Sequence, residues 1–215
     1  MGQAIGNRKM RSQHVRNLAV IAVTLSCLAG GLTACVGLAA GAGATGATMA
    51  AQERGFKGAV NDTELRVRIN ALWLDHDEEM YRKITLSISE RRVLLTGRVK
   101  TDRMMFDAVR LAWKAKGVKE VINEVQVNEG GGIGDFFRDN WISARLKAKL
   151  AFDDSVSSIN YSIDAVSGVV YLFGIARDSE ELQRVTNHAK DLDYVRKVVS
   201  HVWLRTDPRR KSGES

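Results

Sequence analysis

Three groups of residues in this chain have types and spacings that could do chemistry. Cys35 follows Leu32-Thr33-Ala34 at the end of an apolar run and carries a nucleophilic thiol there. Phe136, Phe137, Arg138, Trp141, Ile142, Arg145 and Lys149 interleave aromatic and cationic side chains over a short stretch. An aromatic wedge flanked by Lys and Arg suits an anionic bilayer, where each basic residue adds about 1 kcal/mol of attraction near the surface. Asp75-His76-Asp77-Glu78-Glu79 is a dense acidic cluster. It lacks the Gly and the ligand spacing of a calcium loop and reads as a solvated connection between helix and strand.

Other chemistries find no support. His14, His76, His188 and His201 are scattered, without zinc-ligand spacing. No G-x-S-x-G elbow occurs. Gly130-Gly131-Gly132-Ile133-Gly134 lacks the strand and the Gly-Lys of a phosphate loop and reads as an interdomain hinge. No enzyme and no cofactor are expected. Cys27 and Cys35 are the two cysteines, so the remainder offers no disulfide framework or thiolate metal site.

The N-terminus has the three parts of a secretory signal: a basic region ending at Arg16, an apolar run Leu18–Leu28, and small residues Ala29-Gly30-Gly31. Leu32-Thr33-Ala34-Cys35 resembles the bacterial lipobox, in which the Cys is acylated after cleavage. Residues 1–34 are thus expected to be a signal peptide, and residues 35–60 an acylated Cys with a flexible linker. Several acyl chains would hold the protein permanently, since each buried CH₂ contributes roughly 0.8 kcal/mol. The rival reading is a retained transmembrane helix, because no charge falls between Arg16 and Glu53. The Gly- and Ala-rich run VGLAAGAGATGATMA argues against it. Val36 after the Cys fits an outer-membrane address.

The net charge of +7 owes four units to Arg8, Lys9, Arg11 and Arg16, leaving 28 basic residues against 25 acidic. No Lys/Arg-rich tract survives in that remainder, so a nucleic-acid partner is not favoured.

A gapless shift of 77 residues aligns 61–127 with 138–204. Asp62 meets Asp139, Arg68 meets Arg145, Val93, Leu95 and Gly97 meet Val170, Leu172 and Gly174, and Val121 meets Val198. A repeat of this length is a whole small domain. The periodicity predicts helix–strand–strand–helix–strand in each copy. Asp62 or Thr63 is expected to cap a helix buried along Leu65, Ile69 and Trp73. The alternation of Ile84–Ile88 and of Val93–Gly97 predicts a hairpin across Glu90-Arg91. A second helix starts at Thr101 or Asp102, and Val121, Val125 and Val127 form the last strand. The fold class is α+β: two tandem αββαβ domains, each a three-stranded mixed sheet packed against two helices. The expected boundaries are 61–128, a Gly-rich hinge over 129–137, 138–205, and a disordered tail over 206–215.

The leading Asp with Leu65 and Ile69, the strand Val93-Leu94-Leu95-Thr96-Gly97, and Gly117-Val118…Val121-Ile122-Asn123-Glu124-Val125 resemble the BON domain. The second copy matches at Gly168-Val169-Val170-Tyr171-Leu172-Phe173-Gly174 and departs at Tyr194, where the family usually has Gly. A lipobox followed by two such domains resembles the dual-BON outer-membrane lipoprotein family (DolP-type). That resemblance implies a non-enzymatic protein, lipid-anchored in the outer membrane and facing the periplasm. It further implies binding of anionic phospholipid, phosphatidylglycerol in particular, support of membrane integrity, and enrichment at the division site. The first helix of the second domain would carry the lipid surface, and Trp141-Ile142 falls on the family's Trp-Ile pair.

The repeat supplies an internal control for that helix. Ile142, Leu146 and Leu150 correspond to Leu65, Ile69 and Trp73 and read as core. Trp141 replaces Glu64, and Phe136 and Phe137 replace Ala59 and Val60. Arg145 and Lys149 follow Trp141 by four and eight residues, on its face. The alternative is that the three rings pack against the first domain. At the level of function, the alternative is an envelope scaffold whose aromatic helix holds a protein partner.

Overall fold

The computed structural model describes residues 52–53, 55–128 and 132–211. The signal, Cys35, and residues 129–131 and 212–215 lie outside them. Thr48–Ser215 forms one compact unit. No helix among the described residues is long and apolar enough to cross a membrane.

Domain 1 comprises α1 (Gly55–His76), α2 (Glu78–Lys83), β1 (Ile84–Ser89), β2 (Arg92–Val99), α3 (Asp102–Lys114), β3 (Glu120–Asn123) and β4 (Gln126–Val127). Domain 2 comprises α4 (Ile133–Ala151), a 3₁₀ turn, β5 (Tyr161–Val166), β6 (Val169–Ala176), α5 (Ser179–Lys190) and β7 (Lys197–Leu204), followed by α6 (Pro208–Lys211). In both sheets an antiparallel hairpin carries a parallel third strand on its second member. The mixed three-stranded sheet backed by two helices is thus as expected.

Several local expectations are corrected. Asp62 does not cap a helix, because α1 already begins at Gly55 and runs through it. Asp62 is buried instead, and its carboxylate accepts from the backbone N–H groups of Glu90 (2.9 Å) and Arg91 (2.8 Å). Those two residues are left-handed, φ 53° and 65°, the geometry of a type I′ hairpin turn. Their inward N–H groups need an acceptor, and the helix supplies one. Thr63 Oγ1 likewise donates back to Ala59 O within the helix. Asp139 repeats the device, accepting from Ser167 N and Gly168 N at 2.8 Å each.

The acidic cluster is not a loop either: Asp77 caps α2 by accepting from Met80 N, and Met80 is buried. Residues 55–60 belong to α1 rather than to a linker, and Glu53 N donates to Asn160 Oδ1 (2.9 Å). Residues 133–137 belong to α4 rather than to the hinge. The tail is ordered as far as α6, where Arg210 bonds the Glu90 carboxylate at 2.8 Å. Thr101 does cap α3, and Asp178 caps α5 in its place. The last strand of domain 1 breaks between β3 and β4, where Asn123 Oδ1 takes the Val125 N–H.

Each domain has its own core. Leu65, Ile69, Trp73, Val93, Leu95, Ala108 and Ala112 meet in the first, and Ile142, Leu146, Leu150, Val170, Leu172, Val185 and Ala189 in the second. A third cluster explains why β2 and β6 are apolar at successive positions, not only alternate ones. Leu94 packs with Val166, Tyr171 and Phe173 between the two sheets. The domains therefore dock sheet to sheet, giving helices, sheet, sheet and helices in layers. Strands covered on both faces read as continuous apolar runs.

Polar contacts fix the register of this interface. Arg92, 4% exposed, bonds Glu120 (2.6 Å) and the His201 carbonyl (3.2 Å), with its guanidinium 3.7 Å from the centre of the Trp203 ring. His201 Nε2 and Glu124 lie 2.8 Å apart, and Thr96 Oγ1 donates to Asp164. Burial pushes the Asp164 carboxyl above the usual carboxylate range, although Thr96 and the Ala165 N–H pull it back. A raised folded-state pKa means the folded protein holds this proton more tightly. Its contribution is then complete below the ordinary carboxylate pKa and is lost as pH rises through the folded value. Asp164→Asn should accordingly raise the Tm at neutral pH and leave it unchanged below about pH 4. Thermal melts across that range would expose an error if the two proteins matched at neutral pH.

Candidate functional site: the exposed face of helix α4

Helix α4 has 19 residues, a rod of about 28 Å. Its inner face is set by Ile142, Leu146 and Leu150, all fully buried. Ile142 is therefore core, and its side chain cannot meet a bilayer; the expectation that it forms part of a lipid surface is corrected. The outer face differs in kind. Ile133, Phe137, Trp141, Arg145 and Lys149 fall at intervals of four, a ridge that turns about 40° around the helix at each step. The first three therefore share the outer side, Arg145 lies at its edge, and Lys149 is half-buried beside the inner face. The first three are apolar and exposed by 78, 66 and 43%, and the last two are cations. Phe136 stands beside Phe137, with ring centres 6.0 Å apart in edge contact.

The three rings are not buried against domain 1, because the sheets already provide the interdomain contact. Phe136 and Phe137 are each about two-thirds exposed, although Phe136 also borders the groove between the domains. Trp141 leans on its own domain instead, edge-on to Tyr194 at 5.9 Å. The Arg138 guanidinium lies 5.3 Å from the centre of the same Tyr194 ring, while its Nη1 bonds Asp135 at 3.0 Å. Asp139 turns inward to its hairpin, so the one acid in 138–151 does not offset Arg145, Lys147 and Lys149 at the surface.

Sequence reasoning missed Ile133 and Tyr194. Ile133 was hidden in an assumed hinge. Tyr194 was visible as the departure from Gly117 in the repeat, but its meeting with Trp141 depends on how the α5–β7 turn approaches α4. Domain 1 also exposes aromatic rings, Phe106 and Trp113 on α3. There Asp107 binds Arg110 (2.6 Å), His76 (3.3 Å) and Arg103 (3.9 Å), which leaves that face with much less unpaired positive charge.

The duplicated αββαβ architecture defines a class, and comparison with known proteins confirms it. The BON domain family matches residues 61–129 and 138–205, and the chain belongs to that family, with two such domains in tandem. An uncharacterized protein in gshII 5'region from Anaplasma centrale is 37% identical over 153 residues, covering 71% of this chain and all of that protein. The outer membrane lipoprotein DolP of Haemophilus influenzae is 27% identical over 169 residues, 78% of this chain and 87% of its own. Osmotically-inducible protein Y of Escherichia coli is 27% identical over 141 residues, 65% of this chain and 70% of its own. These relatives place the chain in a family of envelope proteins and point to no catalytic family.

Proposed function

We propose that this protein is a lipid-anchored envelope protein whose second BON domain binds anionic phospholipid through the outer face of α4. The anchor is Cys35, the membrane is the outer one, and the domains face the periplasm, where the protein supports membrane integrity. Likeness to an outer-membrane lipoprotein and the lipobox support the address. The observation that carries the binding reading is the ridge Ile133–Phe137–Trp141–Arg145: exposed apolar side chains leading into an exposed cation, with half-buried Lys149 beyond it and Asp139 withdrawn. Phe136 and Arg138 widen it. Rings of this kind sit at headgroup depth while the basic residues meet lipid phosphates.

Both cores and the sheet interface lie within Thr48–Ser215, so this fragment contains every contact that holds the fold described above. Co-sedimentation of the fragment with phosphatidylglycerol–phosphatidylcholine vesicles tests the reading. Binding should rise with the phosphatidylglycerol fraction and fall as salt screens the charges. A folded fragment that ignores the anionic lipid would favour the alternative, in which the same face holds an envelope protein partner.

A further inference from the structure

Beside Trp141, at the hairpin end of domain 2, lies a recess of about 340 Å³. Arg98, Arg138 and Arg196 line it with Ser167, Gly168 and Tyr194. Its two carboxylates are engaged. Both oxygens of Asp139 take hairpin N–H groups, one of them also lying 3.5 Å from Arg98, and Asp135 pairs with Arg138. Arg196 reaches the Ser167 carbonyl through Nε (2.9 Å) and through a terminal nitrogen, and Arg98 reaches Ser167 Oγ at 2.7 Å. A guanidinium has five N–H donors, and the bonds to Asp135 and Ser167 do not exhaust those of Arg138 and Arg196.

The repeat shows how this corner was altered. In the 77-residue register, Arg138, Trp141, Ser167 and Tyr194 stand where domain 1 has Asn61, Glu64, Glu90 and Gly117. The corner of domain 1 is acidic, and the chain's own Arg210 occupies it through Glu90. Both acids are absent from domain 2, and arginines face the space. Domain 1 turns there on Gly117 at φ +109°, whereas domain 2 holds Tyr194 at φ +68°. A bulky residue in the left-handed region is strained, and such strain concentrates where a side chain has a task. Here it puts the Tyr194 ring within reach of both Trp141 and Arg138.

We infer that this recess is a phosphate subsite for an anionic lipid headgroup, formed by Arg138, Arg196 and Arg98, with Tyr194 as the residue that positions Arg138 and Trp141. The phosphodiester enters the recess while Trp141 and Phe137 enter the bilayer beside it. Planar guanidinium forks match phosphate oxygens, and three of them repel the cation of a zwitterionic headgroup. The inference rests on the lipid reading above and adds the group recognised.

The test uses the Thr48–Ser215 fragment and two vesicle sets of equal anionic fraction in phosphatidylcholine, one with phosphatidylglycerol and one with oleate, whose charge is a carboxylate. Arg196→Lys, which keeps the charge and loses the planar fork, should weaken binding to phosphatidylglycerol vesicles about tenfold, the worth of one charge-assisted hydrogen bond, while changing oleate binding by less than about twofold. Tyr194→Gly, which releases Trp141 as well as Arg138, should weaken binding to both sets, and to phosphatidylglycerol by about tenfold more. Tyr194→Gly should also raise the Tm, because glycine accepts the left-handed turn without strain, so its weaker binding would not reflect unfolding. Equal losses on both vesicle sets, or no loss on either, overturn the subsite while leaving the lipid reading standing. Wild-type fragment that binds neither set overturns both. In a further arm, inorganic phosphate at constant ionic strength competes with the vesicles. Displacement assigns the recess to the phosphate group whatever its source, and persistence of binding assigns it to phosphate esterified in lipid; either supports the subsite.

Discussion

Trp141→Glu should weaken binding to phosphatidylglycerol vesicles about a hundredfold and leave the melting temperature of the Thr48–Ser215 fragment nearly unchanged. The binding loss has two sources. Withdrawing an indole that covers on the order of 100 Å² of bilayer contact costs about 2 kcal/mol. A carboxylate at the same place adds repulsion of about 1 kcal/mol from the anionic surface. Together these make about 3 kcal/mol, or roughly two decades in affinity. The fold should tolerate the change because the repeat already contains it. Glu64 occupies the same position in domain 1 and pairs with Arg68 at 3.1 Å, and Arg68 corresponds to Arg145. Unchanged vesicle binding by a folded Trp141→Glu protein would end the assignment of α4 as the lipid surface.

Gly174→Ala should unfold domain 2, at a cost of about 4 kcal/mol or more. A Cβ at Gly174 would lie 2.0 Å from the Asn160 carbonyl oxygen, and the residue sits at φ +134°, where side chains are strained. The obstacle is backbone on both sides, so no rotamer change relieves it. Gly174 pairs with Tyr161 at the start of the hairpin, and forcing them apart opens the sheet that carries α4. Gly97 stands at the equivalent place in domain 1, with the Lys83 carbonyl 2.3 Å from its would-be Cβ. Urea denaturation measures the effect; a midpoint within experimental error of wild type would show that the close approach is not required.

The two substitutions mark the limits of what could be read from residues alone. Gly97 and Gly174 were legible as repeated glycines ending a strand, but the carbonyl that excludes a Cβ comes from the preceding connection. Trp141 was legible as a ring in the place of Glu64, and the repeat predicted its exposure. Its contact with Tyr194 was not, because the pair is separated by most of domain 2. Asp62 and Asp139 looked like caps, since Asp before an apolar stripe is the common start of a helix. They are buried turn holders, a role set by hairpins nearly thirty residues away.

Residue order alone determined the duplication, the αββαβ order of each copy, the inward stripes of the helices and the hairpin turns. These follow from local periodicity and from a register that two copies share, and both are written residue by residue. Tertiary structure alone decided that the domains dock sheet to sheet, that Ile142 is unavailable to lipid while Ile133 is exposed, that Arg210 fills the acidic corner of domain 1, and that arginines from both domains meet beside Tyr194. Each of these depends on surfaces brought together from distant parts of the chain. Apolar burial is non-directional, so an apolar strand face does not name the partner that covers it.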